Sequence, residues 1–116
     1  MIVDDHGDMR RVLKSIVTLS LGQDADTIIE CDCGEEAVLQ YEEHLPDFIL
    51  MDLQLKHMDG FETIKKIRSR NASAEVIMVT SFDTPSIRLK AKELNVREFV
   101  NKENLSEISH ILKSII

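Results

Sequence analysis

Apolar positions along the chain switch between two periods. Met9, Val12, Leu13 and Ile16 recur at helical spacing behind Asp8, whose side chain suits an N-cap. Thr27-Ile28-Ile29 is β-branched and reads as a strand. Gly34 opens a second helix through Glu35, Glu36, Ala37, Val38 and Tyr41, which must stop before Pro46. Asp47 to Asp52 encloses a continuous apolar run, the pattern of a strand buried on both faces. Phe61, Ile64 and Ile67 give a third helical stripe, and Glu75 to Val79 a fourth strand. A helix from Pro85 to Leu94 with Ile87, Ala91 and Leu94 on one face follows, then a short strand, Arg97-Glu98-Phe99-Val100. Asn104-Leu105-Ser106-Glu107 reads as a capping box for a last helix that turns Leu105, Ile108, Ile111, Leu112 and Ile115 inward.

With Met1-Ile2-Val3 as the first strand, five strands alternate with five helices, without repeats or a linker. That order predicts an α/β fold, a parallel sheet covered on both faces. A length of 116 residues fits one domain, 1–116. The first strand falls short of the roughly five or six residues usual for a central strand, as in a chain trimmed before Met1.

Charge and cysteine content narrow the function classes. A net charge of -7 makes the domain a poor binder of nucleic acid by itself, so any DNA contact belongs to another domain or another chain. No apolar run approaches the roughly 20 residues of a membrane span. Cys31 and Cys33 are too few for a disulfide framework and lack further metal-type partners, which suits reduced thiols and a cytoplasmic location.

Candidate chemistry collects where strands end. Asp4-Asp5 closes the first strand, Asp52 the third, Thr80-Ser81 the fourth, and Lys102 follows the fifth. In open parallel sheets, ligands bind beyond the carboxyl ends of the strands. Clustered carboxylates repel one another unless a cation lies between them, and Mg²⁺ is the hard, oxygen-seeking candidate. A carboxylate can serve as nucleophile, and a hydroxyl with an ammonium can bind an anion. His6 adjoins the acidic pair and reads as a polar rim residue. His44, His57 and His110 have no partner pattern and read as surface residues.

Five segments in matching order and spacing resemble the receiver domains of two-component response regulators. They are Ile2-Val3-Asp4-Asp5, Asp47 through Asp52, Met58-Asp59-Gly60-Phe61-Glu62, Val79-Thr80-Ser81 and Phe99-Val100-Asn101-Lys102. The resemblance implies a doubly wound (βα)5 sandwich of strand order 2-1-3-4-5. Asp52 would accept a phosphoryl group from a histidine kinase or phosphotransfer protein. Mg²⁺, with Mn²⁺ as substitute, would be held by Asp5, Asp52 and the backbone carbonyl of Gln54, with Asp4 acting through water. Lys102 and Thr80 would bind phosphoryl oxygens, Thr80 and Phe99 would switch, and Gln54 and Phe82 would set the lifetime of the phosphate. The output would be a changed surface of the fourth helix, fifth strand and fifth helix, also the face of a homodimer, often controlling transcription.

Three departures stand out. Lys56 occupies a position where the family commonly has Pro. Glu103 replaces a Pro joined through a cis bond, so a trans Lys102–Glu103 bond is expected. Asn95-Val96 replaces Gly-Ala, and Asn tolerates the left-handed conformation. Two other functions compete: a pseudo-receiver that never takes phosphate, and a phosphohydrolase with an Asp nucleophile. The latter, of the haloacid-dehalogenase type, needs a second Asp where Gln54 stands. A flavodoxin-like carrier is disfavoured by the acidic loop after strand one.

Overall fold

In the computed structural model, which describes residues 1–22 and 24–115, five parallel strands form one sheet of order β2-β1-β3-β4-β5. The strands are β1 (Ile2–Val3), β2 (Glu30–Cys31), β3 (Ile49–Met51), β4 (Val76–Thr80) and β5 (Glu98–Asn101). Between and after them run α1 (Gly7–Leu21), α2 (Gly34–His44), α3 (Gly60–Arg70), α4 (Pro85–Glu93) and α5 (Ser106–Ile115). This is the flavodoxin-like doubly wound fold.

Alternation along the central strands builds two cores. Val3, Cys31, Ile49, Met51, Val76 and Met78 pack on one face with Ala37, Ile64, Ile67 and Ala91. Ile2, Leu50, Ile77, Val79 and Val100 pack on the other with Leu13, Ile108 and Leu112. Strands sealed on both sides explain why β3 and β4 read as unbroken apolar runs. Leu105, Ile111 and Ile115 lie against the second core, as the stripe of α5 predicted.

Local chemistry moved several boundaries. The strand expected at Thr27-Ile28-Ile29 lies later, because Asp24 organises a turn first. Its carbonyl accepts Thr27 N at 3.1 Å, and its carboxylate accepts Asp26 N at 3.1 Å, so Ala25–Thr27 is a 3-10 turn. Pairing with β1 then begins at Ile29, whose carbonyl accepts Ile2 N at 2.8 Å. Helix α1 starts ahead of the expected cap: His6 is the N-cap residue and its carbonyl accepts Arg10 N at 3.1 Å, leaving Asp8 in the first turn. Val12, expected on the buried stripe, is 44% exposed.

The cap expected at Asn104 is supplied instead by Asn101. Its Oδ1 accepts Glu103 N at 2.8 Å and starts a 3-10 turn, Lys102–Asn104, before α5. The Lys102–Glu103 bond is trans, and Asn95 adopts φ 54°, both as expected. Thr84 and Asp59 cap α4 and α3 by accepting Ile87 N at 3.2 Å and Glu62 N at 2.9 Å.

Candidate functional site: an acidic rim at the carboxyl ends of the strands

Parallel register brings the acidic residues together. Val3 stands opposite both Cys31 and Met51, so the next residues, Asp4 and Asp52, leave neighbouring strands at one level. The ladder continues to the branch point: Asp52 N donates to Val3 O at 2.9 Å and Asp4 N to Cys31 O at 3.1 Å. Thr80 pairs with Asn101, which places Lys102 just above the same rim.

Asp4, Asp52 and Thr80 are buried, unusual for two carboxylates unless paired. The pairing is with Lys102, whose Nζ lies 2.8 Å from Asp4 Oδ2 and 3.0 Å from Asp52 Oδ2. Burial pushes the Asp52 carboxyl above the usual range. Hydrogen bonding and charge from Lys102 oppose that shift, and the Asp4 charge adds to it. Burial alone would lower the Lys102 ammonium, but Asp4 and Asp52 outweigh it and hold its pKa above the ordinary value.

The rim also carries unsatisfied acceptors. Asp5 Oδ1 is buried with no hydrogen-bond donor, and Asp4 Oδ2 meets the Lys102 ammonium without a directed hydrogen bond. One donor atom from each of Asp4, Asp5, His6 and Asp52 lies within 4.8 Å of the others. Carboxylate oxygens that converge on one point and receive no directed hydrogen bond fit a hard divalent cation. His6, read from sequence as a rim neighbour, joins this group: its Nδ1 is 2.8 Å from Asp5 Oδ1, while its side chain is 69% exposed.

The remaining expected residues surround the rim. Gln54 N donates to Asp52 Oδ1 across 3.4 Å, and its side chain is exposed. Phe82 N donates to Thr80 Oγ1 at 3.2 Å, and the Phe82 ring stands outside. Ser81 is exposed beside it. Phe99 is half-buried against the first core, with the Arg88 guanidinium 4.6 Å over its ring. His44, His57 and His110 are exposed and join no such cluster among the described residues, and Cys31 is a buried free thiol pushed up to about 12 chiefly by burial. A cleft of about 500 Å³ opens at the other end of the sheet, between Val17, Leu45 and Phe48; His44 lines it, and none of the rim residues does.

The loop after Asp52 is held by a close backbone approach that sequence reading passed over. Gly60 N donates to Leu53 O at 2.7 Å, and a Cβ on Gly60 would collide with Asp52 O and stand 2.9 Å from Leu53 Cα. Only backbone surrounds it, so nothing yields cheaply. Gly60→Ala is expected to cost about 2–3 kcal/mol in urea unfolding; a midpoint equal to wild type would show that the loop relaxes freely.

The model of the response regulator receiver domain matches residues 1–113. The chain belongs to that family. This receiver domain is 31% identical over 102 residues to the chemotaxis protein CheY of Bacillus subtilis, covering 88% of this chain and 82% of CheY. It is 34% identical over 108 residues to the transcriptional regulatory protein YdfI of the same organism, covering 92% of this chain but 49% of YdfI. Among solved structures, a two-component response regulator of the LuxR family from Aurantimonas sp. SI85-9A1 superposes with a TM-score of 0.90 at 28% identity, covering 99% of this chain and 81% of that one. CheY from Borrelia burgdorferi, in complex with CheX, BeF3 and Mg, superposes with a TM-score of 0.81 at 26% identity, covering 96% and 86%.

Receiver domains use Mg²⁺ and take histidine kinases as partners, and the acidic cluster of this one could bind a metal. No helix among the described residues is long and apolar enough to cross a membrane.

Proposed function

We propose that this receiver domain is a phosphorylation-dependent switch in which Asp52 is the phosphoacceptor. The observation that carries the reading is a buried carboxylate at the end of β3, 3.0 Å from the Lys102 ammonium and beside acidic oxygens that receive no directed hydrogen bond. An Asp52 oxygen attacks the phosphorus of a phosphohistidine on a histidine kinase or phosphotransfer protein. The P–N bond breaks as the P–O bond forms, and the electron pair returns to the imidazole.

Asp5, Asp52 and the Gln54 carbonyl would hold Mg²⁺, or Mn²⁺ in its place, with Asp4 acting through water. The cation supplies charge neutralisation at the transferring oxygens. Lys102 exchanges its contact with Asp52 for one with a phosphoryl oxygen, and Thr80 donates its hydroxyl to another. Ser81 is small enough to leave room for the group.

Thr80 moving toward the phosphoryl group makes space for Phe99 to turn inward, and the surface of α4, β5 and α5 changes with it. That surface would address the output, commonly transcription, through a homodimer on the same face or an attached DNA-binding domain. The cytoplasm is the fitting compartment.

Incubation with Mg²⁺ and a small phosphodonor, followed by intact mass measurement, tests the reading. A phosphoryl adduct is expected on wild type and not on Asp52→Asn. An adduct on neither would make the domain a pseudo-receiver that binds partners without phosphate. The exposed Phe82 ring flanks the path of an attacking water, so Phe82→Ala is expected to shorten the phosphate lifetime several-fold. An unchanged decay of the adduct would remove Phe82 from that role.

A further inference from the structure

One carboxylate ties the loop after β4 to helix α4 and to the end of β5. Arg88 grips Asp83 with two prongs, Nε to Oδ1 at 2.5 Å and a terminal nitrogen to Oδ2 at 2.9 Å. Asn101 Nδ2 donates to the same Asp83 Oδ2 at 3.0 Å. The other end of the Asn101 amide accepts Glu103 N at 2.8 Å, which fixes the chain on either side of Lys102. The guanidinium held by this fork lies 4.6 Å over the ring of Phe99.

Isolated surface ion pairs hold little, but a two-pronged Arg–carboxylate pair inside a network is the exception. A guanidinium fixed in its plane also stacks on an aromatic face, which a free ammonium does less well. Asn in a β-strand has poor intrinsic preference, so its place at Asn101 calls for a partner, and Asp83 is that partner. Arg88 and Asn101 together draw the Asp83 carboxyl down to about 2, so it stays ionised across the physiological range.

We propose that Asp83 is a positioning residue that latches the resting state: through Arg88 it holds Phe99 in its half-buried position under the guanidinium, and through Asn101 it anchors that latch to the Lys102 segment. The proposal rests on Phe99 being the switching aromatic. The ring turns inward only by leaving the guanidinium, so the latch sets the proportion of molecules already switched before phosphate arrives. Loosening it shifts that population without touching Asp52, Thr80 or Lys102.

The test labels the four phenylalanines with fluorine and follows the Phe99 resonance, assigned with Phe99→Leu, in the absence of any phosphodonor. In Asp83→Asn and in Arg88→Ala the resonance is expected to move the same way, toward its position in wild type with beryllofluoride and Mg²⁺. The double variant should move no further than either single one, because both cut the same latch. Arg88→Lys, which keeps the charge and loses the fork, should not restore the resting position. The Phe48 and Phe61 resonances report that the fold is intact.

A Phe99 resonance at its wild-type position in folded Asp83→Asn, or additive displacements in the double variant, overturns the latch. The phosphorylation reading fails separately. If wild type takes no phosphoryl group and ignores beryllofluoride, that reading falls, and the latch is judged on whether the single and double variants coincide.

Discussion

Asp52→Asn is expected to take no phosphoryl group and yet to resist urea better than wild type. Asp52 and Asp4 are both buried and share one ammonium, so the rim carries more negative than positive charge out of reach of water. Amide for carboxylate keeps the shape and the contact with Gln54 N, and leaves Lys102 free to serve Asp4 alone. The gain is expected to be about 1–2 kcal/mol, the size of a single stabilising substitution.

The pH dependence gives the sign. The folded-state pKa of Asp52 is raised from 3.8, first by burial and further by Asp4, against the pull of Lys102. An acid whose pKa is raised on folding costs stability above that raised value, and the cost fades as the pH falls from it toward 3.8. The advantage of Asp52→Asn should therefore be full above that raised value and vanish in acid. Added Mg²⁺ should narrow it at neutral pH, since a cation that binds the three-carboxylate rim stabilises wild type more. A variant less stable than wild type at neutral pH without divalent cation would sink the argument.

The fold was legible because its strands are buried on both faces and its helices carry clear stripes. β3, β4 and α5 stand where the apolar pattern put them. The pattern was blind where short polar side chains compete with the backbone. Asp24 drew residues 25–27 into a turn and pushed β2 onward, and Asn101 took the capping role assigned to Asn104. Both are hydrogen-bonding choices that hydropathy does not record.

The rim was legible for a different reason. Strand ends in a parallel sheet line up, so a few polar residues placed after apolar runs converge without any knowledge of distances. What sequence could not supply was the third dimension across loops. The fork of Asp83 and Arg88, five residues apart, matches no helix or strand spacing. Its link to Asn101 spans 18 residues. The close approach at Gly60 leaves only the glycine itself as a trace.

Lys102→Met should have the largest effect on stability. The Lys102 side chain is 14% exposed and is the cation between Asp4 and Asp52, at 1% and 4% exposure. Met matches its length and apolar stem but leaves two buried carboxylates facing each other. Removing one partner of a buried pair typically costs about 3–5 kcal/mol, because the remaining charge is uncompensated. In wild type the Lys102 contribution is complete below its unfolded pKa of 10.5 and is lost as pH rises through the raised folded value, so at neutral pH the deficit is full.

Two rescues separate this electrostatic account from simple misfolding. Asp52→Asn added to Lys102→Met should recover much of the loss, a strongly non-additive pair, because the repelling charge goes with its counterion. Mg²⁺ should also stabilise Lys102→Met more than it stabilises wild type, since the ammonium no longer competes for the Asp4 and Asp52 oxygens. Urea midpoints for the four proteins, with and without Mg²⁺, measure both. If the double variant loses the arithmetic sum of its parts, Lys102 is acting as a packing element, and the charge balance proposed for the rim is wrong.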